Sequence, residues 1–145
     1  MKAVRLPTLR CYRCVYAWTP AHSPVRLCPR CKSHLWDVPK IRRVRLGRGL
    51  GIDEILLPHR AGILRLARKH GARRVRVYGS VRRREADSRS DVDLLVDWNQ
   101  TAPPLAGLRL EIALQELLGR DVSVAEEATL PWWFRPQVLA EAVEW

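Results

Sequence analysis

The alternation of apolar and polar positions becomes regular from about residue 52 onward. Segments with a helical period indicate amphipathic helices, and segments with a period of two indicate half-buried strands. The predicted elements are a helix over 58–70, strands over 74–78 and 91–98, a helix over 104–118, a strand over 121–125 and a helix over 130–144. This order of helix, strand, strand, helix, strand and helix predicts an α+β domain.

Residues that begin or end helices set the predicted boundaries. Pro58 suits the first turn of the first helix, and Gly71 and Gly119 suit the positions just after two helices. The inner side of the first helix is apolar, with Ile63, Leu64, Leu66 and Ala67. Pro136 lies inside the last predicted helix, where a proline disrupts the backbone hydrogen bonding.

Charge divides the chain into unequal parts. The formal net charge is +11 over 145 residues, and residues 1–50 hold 12 basic residues against the single acid Asp37. Residues 101–145 hold three basic and seven acidic residues. A basic N-terminal third is typical of a protein that binds a polyanion such as nucleic acid, and equally of a solvated, arginine-rich surface.

Neither a membrane span nor an export signal is predicted. No stretch reaches the roughly 18 to 20 apolar residues that a membrane span requires. Met1–Arg10 contains no apolar segment of the kind found in secretory signals. We therefore expect a cytoplasmic protein without a membrane partner, in a compartment where cysteines stay reduced.

All four cysteines lie near the N-terminus, in two Cys-x-x-Cys pairs: Cys11 with Cys14, and Cys28 with Cys31. In a reducing compartment two such pairs favour a metal site over disulfides, and four thiolates complete the tetrahedral shell of a structural Zn²⁺. A single redox-active pair is the alternative, but it requires a strand–helix–strand context. His22 and His34 are further candidate ligands, although four cysteines leave no coordination position open for them.

Residues 8–39 resemble a zinc ribbon. The resemblance rests on the two cysteine pairs and on the Lys-Ser and Leu-Trp-Asp strings that follow Cys31. Val15 departs from it, because ribbons commonly carry glycine after the second cysteine. Trp18 and Trp36 are expected to cover the hairpin as a small core, with base stacking as the alternative. Because about 30 residues bury little apolar surface, we expect the metal to drive folding of this segment.

The domain hypothesis is a zinc ribbon over 1–39, a basic linker over 40–51 and an α+β domain over 52–145. The linker region holds five basic residues together with Gly47, Gly49 and Gly51. This composition is typical of a flexible connection. The segment could also be an arm that binds an acidic surface or a phosphate backbone.

The residues that point to chemistry form the pattern Gly79-Ser80, ten residues, and Asp91-x-Asp93. Gly79 follows a predicted strand, and Ser80 can begin a short helix whose free amides suit a phosphate. Asp91 and Asp93 lie two positions apart on a strand, so both carboxylates leave the same face. Such oxygen ligands suit Mg²⁺, which also binds nucleotide phosphates, and two ions could assist an in-line phosphoryl transfer. The alternative is an ordinary turn followed by a strand with exposed acids.

This spacing, together with the string over 90–94 and the order of elements, resembles the minimal nucleotidyltransferases of the DNA polymerase beta-like superfamily. The resemblance covers residues 55–143. It implies a small mixed sheet flanked by helices, nucleotide binding by Gly79, Ser80 and Ser90, and binding of catalytic Mg²⁺ by Asp91 and Asp93.

Two positions depart from the pattern of that superfamily. Arg84 stands in a region where members often carry glycine, and its charge could face the nucleotide phosphates instead. The third carboxylate of active members, which helps to position a metal ion and to deprotonate the acceptor hydroxyl, falls on Ser123 here. Asp121 lies two residues earlier on the same face, about 7 Å along the strand. A bulge could bring Asp121 into the catalytic site, and a solvent-facing acid is the alternative.

The leading functional hypothesis is a Mg²⁺-dependent nucleotidyltransferase. It would move NMP from ATP or another NTP to a hydroxyl group and release pyrophosphate. The resemblance also implies an antitoxin-type role. Stand-alone members of this size often pair with a HEPN-domain ribonuclease toxin and adenylylate its tyrosine.

Two other functions stay open. Ser123 favours a catalytically impaired, nucleotide-binding adaptor whose zinc ribbon and basic linker bind nucleic acid or a protein partner. A transferase with RNA as its acceptor, held by the ribbon, is the other. The aromatic run Trp132, Trp133 and Phe134 would fill a core or, if exposed, form a docking patch.

Overall fold

The computed structural model describes residues 6–145 of the chain. Near the N-terminus, β1 (Leu9–Arg10) and β2 (Ala17–Trp18) form a short antiparallel hairpin. The later elements are α1 (Ile52–Ile55), α2 (Arg60–Lys69), β3 (Ala72–Tyr78), α3 (Gly79–Arg82), β4 (Val92–Trp98), α4 (Ala106–Leu118), β5 (Val122–Ala125), α5 (Arg135–Glu141) and β6 (Val143–Glu144). Short 3₁₀ turns lie at Leu57–His59 and Glu127–Thr129.

The second sheet has four strands in the order β5-β4-β3-β6 and is mixed. β3 pairs antiparallel with β4 and with β6, whereas β4 and β5 run parallel. Parallel neighbours need a crossover connection, which here contains α4. The predicted α+β class, with a small mixed sheet flanked by helices, is therefore confirmed.

Both faces of β4 are covered, but by different elements. Its apolar residues Val92, Leu94 and Val96 pack into a core that includes residues of α2 and α4. Leu95 belongs to a second, smaller core with residues of the C-terminal segment. Asp93 shares the face of Leu95 because side chains alternate along a strand. The acidic residues of β4 therefore lie on the face that α5 partly covers.

Glycines end two of the helices, as predicted. Gly71 follows α2 with a φ of +87°, and Gly119 follows α4 with a φ of +64°. Glycine adopts this left-handed conformation without the steric cost of a Cβ atom. None of the helices described between residues 6 and 145 is long and apolar enough to cross a membrane.

The C-terminal segment differs from the helix predicted over 130–144. α5 begins at Arg135, so Pro136 lies in the first turn, where a backbone N–H is not needed. The helix ends at Glu141, and β6 pairs with Arg76 and Val77 of β3. The prediction is wrong at both ends because proline fixes where the helix can begin and the open edge of β3 takes the last residues as a strand.

The N-terminal hairpin is covered by aromatic side chains. The rings of Trp18 and Trp36 pack edge to face with centroids 5.1 Å apart, as the sequence predicted. Val15 and Lys32 follow the second cysteine of their pairs and have φ angles of +63° and +59°. A β-branched residue adopts this left-handed conformation at a steric cost. Val15 therefore keeps the turn geometry in place of glycine, with local backbone strain.

Backbone hydrogen bonds join residues 47–50 to the loop after α3. The amides of Gly47 and Gly49 donate to the carbonyls of Arg83 and Arg84 at 2.8 and 2.9 Å. Leu50 and Ala86 exchange two hydrogen bonds, of 2.8 and 3.3 Å. A Cβ atom at Gly47 would lie 2.6 Å from the Arg84 carbonyl oxygen. The glycines thus permit close backbone approach, and this part of the basic segment is fixed in place.

Candidate active site and metal centre

The four cysteine thiols converge on one point. Their Sγ atoms all lie within 4.8 Å of one another, and the Cys11–Cys31 and Cys14–Cys28 separations are both 3.7 Å. A regular tetrahedron with Zn–S bonds of about 2.3 Å has edges of about 3.8 Å. The size and chemistry of this donor set therefore fit a structural Zn²⁺, which the donors would hold in a closed tetrathiolate shell.

The surroundings of the cluster also favour a structural site. Cys11 and Cys28 are fully buried, and the amide of Arg13 donates to the Cys11 Sγ at 3.3 Å. Within residues 6–145, neither His22 nor His34 belongs to a metal-binding group. Four sulfur ligands leave no open position for a substrate, so the cluster is suited to folding rather than catalysis.

The second candidate site lies where β3 turns into α3 beside β4. Tyr78 is opposite Asp93 in the antiparallel register, and Gly79 follows with a φ of +75°. A Cβ atom at Gly79 would collide with the Asp93 carboxylate, whose Cγ would be 3.0 Å away. Glycine is therefore required at this position for two reasons, the left-handed backbone of the turn and the close approach of the carboxylate.

Negative charge is concentrated at this corner. The pKa of Asp93 is raised to about 6, chiefly by burial and also by the nearby Asp91 carboxylate, whereas the positive charge of Arg83 acts in the opposite direction. Burial, followed by Asp93 and Asp91, raises the pKa of Tyr78 to about 12. A divalent cation would relieve the repulsion between the two carboxylates, so Asp91 and Asp93 fit the hypothesis of a Mg²⁺ site.

Strand β5 brings Ser123, not an acid, next to Asp93. Parallel pairing between β4 and β5 is regular, with Val92 opposite Val122 and Asp93 opposite Ser123. Asp121 precedes β5, is exposed, and accepts a 2.9 Å backbone hydrogen bond from Val92 at its carbonyl oxygen. Because the pairing has no bulge, Asp121 lies two residues before Ser123, the position beside Asp93. A catalytic role for Asp121 stays a prediction.

The two serines of the predicted nucleotide site occupy different environments. Ser80 is partly exposed in the first turn of α3, directly after Gly79. The Ser90 hydroxyl is engaged in the loop before β4, where it accepts from the Asp87 amide at 2.9 Å and donates to the Asp87 carboxylate at 3.2 Å. Ser80 is thus directly available to a ligand, and Ser90 shapes the loop that leads to Asp91.

Glu141 is a site residue that the sequence reasoning missed. Its side chain is 2% exposed and accepts a 2.9 Å hydrogen bond from the Gly79 amide. Arg83 donates to both of its carboxylate oxygens, at 3.0 and 3.2 Å. The Gly79 amide therefore already has a hydrogen-bond acceptor within the protein, and through this bond Glu141 positions the turn between β3 and α3. Only this long-range contact identifies the residue, since a single glutamate in a short helix carries no local signal.

The three arginines after Gly79-Ser80 also form hydrogen bonds or ion pairs within the protein. Arg82 donates to the Glu141 carbonyl at 2.9 Å, and Arg83 pairs with Glu85 as well as with Glu141. Arg84 has a φ of +57° and its guanidinium pairs with Glu54 of α1. The charge of Arg84 is thus directed at α1 and not at the position expected for the phosphates.

We expect Glu141→Gln to destabilise the protein by about 1–3 kcal/mol, because a charge-assisted pair with Arg83 is lost from a buried position. Urea unfolding would measure this change. Glu144→Gln is the matched control, since Glu144 is 66% exposed in its pair with Arg74. Its effect should stay within about 0.5 kcal/mol. Equal losses for both variants would contradict a positioning role for Glu141.

Comparison with known proteins identifies the domain. Residues 62–145 match the family described as a nucleotidyltransferase domain. The protein adenylyltransferase MntA of Thermococcus cleftensis is 36% identical over 92 residues, which cover 63% of this chain and 90% of that relative. A protein of Methanocaldococcus jannaschii with a provisional protein adenylyltransferase name is 33% identical over 82 residues, covering 57% of this chain and 88% of the relative.

Solved structures give the same result. One that is provisionally described as a minimal nucleotidyltransferase is 42% identical, has a TM-score of 0.56, and is matched over 67% of this chain and 98% of its own. A toxin–antitoxin structure with AMP-PNP is 21% identical with a TM-score of 0.50, over 58% of this chain and 69% of its own, and is similar in fold. The chain therefore belongs to the nucleotidyltransferase domain family and is of the minimal nucleotidyltransferase type.

Proposed function

We propose that the chain transfers AMP from ATP to a hydroxyl group of a protein partner. The observation that carries this proposal is the close packing of Gly79 against Asp93, with Asp91 on the same face of the strand, in a nucleotidyltransferase domain. The protein adenylyltransferase names of two relatives support a protein as the acceptor.

In this proposal each residue at the corner has a defined task. Gly79 and Ser80 form the turn that binds the triphosphate, and Asp91 and Asp93 hold a divalent cation such as Mg²⁺. When bound, the ion would neutralise phosphate charge during transfer. Glu141 holds the turn in place through the Gly79 amide and does not contact the nucleotide.

The proposed reaction is a single displacement at the α-phosphorus. The acceptor oxygen forms a bond to this phosphorus, and the bond from the α-phosphorus to the bridging oxygen breaks. Pyrophosphate leaves with that electron pair, and the hydroxyl proton passes to a base or to water. Ser123 cannot take this proton at neutral pH, so Asp121, which directly precedes β5, is the candidate base.

The acceptor that fits best is a tyrosine of a HEPN-domain ribonuclease toxin, which makes the chain an antitoxin. This part of the proposal follows from the resemblance to stand-alone minimal nucleotidyltransferases. A toxin–antitoxin complex with the same fold agrees with it.

Intact mass spectrometry tests the transfer. The purified chain is incubated with ATP, Mg²⁺ and the HEPN-domain protein encoded nearest to its gene. We expect that protein to gain one adenylyl group, which peptide sequencing would place on tyrosine, and no gain when Mg²⁺ is omitted. The proposal fails if ATP and Mg²⁺ lead to no adenylylation of that protein or of any protein in a lysate of the source organism.

A second candidate function is a catalytically impaired, nucleotide-binding adaptor, and Ser123 opposite Asp93 is the observation that favours it. Ser123→Asp in the same assay separates the two, with Ser123→Asn as the neutral control of similar size. The chain would be an adaptor if the wild type binds ATP without AMP transfer while Ser123→Asp raises the rate of AMP transfer about 10-fold or more over background. Measurable wild-type transfer would identify an enzyme.

A further inference from the structure

A cleft of about 580 Å³ separates the zinc ribbon and the basic segment from α5. Tyr12 and Arg13 line it from the ribbon, Lys40 and residues 42–45 from the basic segment, and Trp133, Phe134 and Gln137 from the C-terminal part. The amide of Arg42 donates to the Gln137 side chain at 2.6 Å, which holds the two walls together. The volume lies within the range of about 300–1,000 Å³ that is typical of ligand sites.

The cleft is strongly positive, and most of its cationic side chains form no ion pair within the described residues. Lys40, Arg42, Arg43 and Arg45 line the cleft and are exposed. None of the six ion pairs found between residues 6 and 145 involves any of these four side chains. The two acids of the lining, Glu85 and Glu141, are both paired with Arg83. The cleft therefore presents four free cations to a ligand.

Aromatic rings stand beside these cations. Trp133 lines the cleft, is 43% exposed, and its ring centroid lies 5.8 Å from that of Phe134. Tyr12 on the opposite wall packs edge to face on Trp132 at 4.9 Å. An exposed tryptophan next to free cations provides both a stacking surface for a base and partners for phosphates.

A second depression adjoins the cleft. It has a volume of about 360 Å³, and Tyr12 lines both. Its wall includes Arg10, whose guanidinium lies 5.7 Å from the centroid of the Trp132 ring. The two depressions thus adjoin at Tyr12, and the second adds a cation beside an aromatic ring to the same side of the ribbon.

We propose that this cleft binds single-stranded nucleic acid, with phosphates on the basic segment and a base stacked on Trp133. The site is separate from the proposed AMP transfer, since none of Asp91, Asp93 and Gly79 lines the cleft. Glu141 contacts both the cleft and the Gly79 amide, so the two sites are neighbours. An acidic protein segment could pair with the cations, but it would leave the exposed tryptophan without a partner.

Fluorescence anisotropy with labelled 12-nucleotide oligo-U and oligo-dT, in the absence of ATP, tests this site. We expect binding at about 50 mM salt that weakens steeply as salt rises, because each neutralised phosphate releases counterions. The triple variant Arg42→Gln, Arg43→Gln, Arg45→Gln should reduce the negative slope of log K against log salt by about 2. Trp133→Leu should weaken binding about 5-fold or more without changing that slope.

A matched control removes the same charge elsewhere. The exposed cations Arg65, Arg68 and Lys69 of α2, a helix of the larger core, are replaced with glutamine in one variant. This variant should bind the oligonucleotides as tightly as the wild type to within about 3-fold. The proposal is overturned if neither oligonucleotide binds, if the α2 variant is weakened as much as the cleft variant, or if polyglutamate or duplex DNA competes as well as unlabelled oligo-U.

Discussion

Asp93→Asn is expected to lower AMP transfer at least about 100-fold while leaving the fold at least as stable as that of the wild type. The neutral side chain keeps the shape beside Gly79 but loses the charge that would hold a divalent cation. Burial and Asp91 raise the pKa of Asp93 to about 6, so its ionised form is disfavoured in the folded protein. Removing that charge should therefore relieve a repulsion and not create one.

The pH dependence of stability gives an independent check on the same variant. In the metal-free corner the folded wild type binds more protons than the unfolded chain between pH 3.8 and about 6, so this group makes stability fall as pH rises through that window. Thermal melting as a function of pH should show this fall in the wild type and less of it in Asp93→Asn. AMP transfer is followed by intact mass in parallel.

Asp97→Asn is the matched control for Asp93→Asn. Asp97 lies on the same strand and the same face, about 13 Å further along, and pairs with Arg76 at 3.2 Å. This control should retain transfer and lose some stability, the opposite of the pattern expected for Asp93. Full transfer activity of Asp93→Asn would remove Asp93 from the catalytic site.

Removing zinc is expected to unfold the ribbon and to leave the mixed sheet intact. Structural Zn²⁺ contributes about 10–16 kcal/mol in small cysteine sites, and residues 8–39 contain little apolar core besides Trp18 and Trp36. Native mass spectrometry should find one zinc per chain. After chelation, hydrogen exchange should become fast in residues 8–39, while amides of β3 and β4 stay protected.

Two single substitutions sharpen the zinc prediction. Cys28→Ser removes a buried ligand and should lower zinc affinity at least about 100-fold, whereas His34→Gln should keep both the zinc and the slow exchange. Fast exchange in residues 8–39 of the zinc-loaded wild type, or zinc loss in His34→Gln, would contradict a closed four-cysteine site. Retained protection after full chelation would show that the ribbon folds without metal.

The parts of this molecule that depend on local pattern could be predicted from the sequence. Strand alternation predicts that Asp91 and Asp93 leave the same face, and the position of Gly79 directly after a strand predicts the sharp turn. The antiparallel register that places Gly79 beside Asp93 is seen only in the structure. The convergence of the cysteines is also predictable, since each Cys-x-x-Cys turn aims two thiolates at one point.

The parts that depend on distant contacts could not be predicted. Glu141 is 62 residues from Gly79 in the chain, and nothing near it in the sequence distinguishes it from a solvent-facing glutamate. The same holds for Arg84, whose partner Glu54 lies 30 residues earlier. The start of the last helix was predicted wrongly for another reason. A proline such as Pro136 inside an apolar pattern is compatible either with a kinked helix or with a helix that begins later.

The docking of residues 47–50 on the loop after α3 has a consequence for exchanging the ribbon between proteins. Four backbone hydrogen bonds connect this stretch to residues 83–86, which lie between the Gly79-Ser80 turn and Asp91. A graft that joins a foreign ribbon at residue 51 would remove the hydrogen-bonding partner of that loop. A junction before Gly47 would keep it. In modular terms, the glycines belong with the nucleotidyltransferase domain and not with the ribbon.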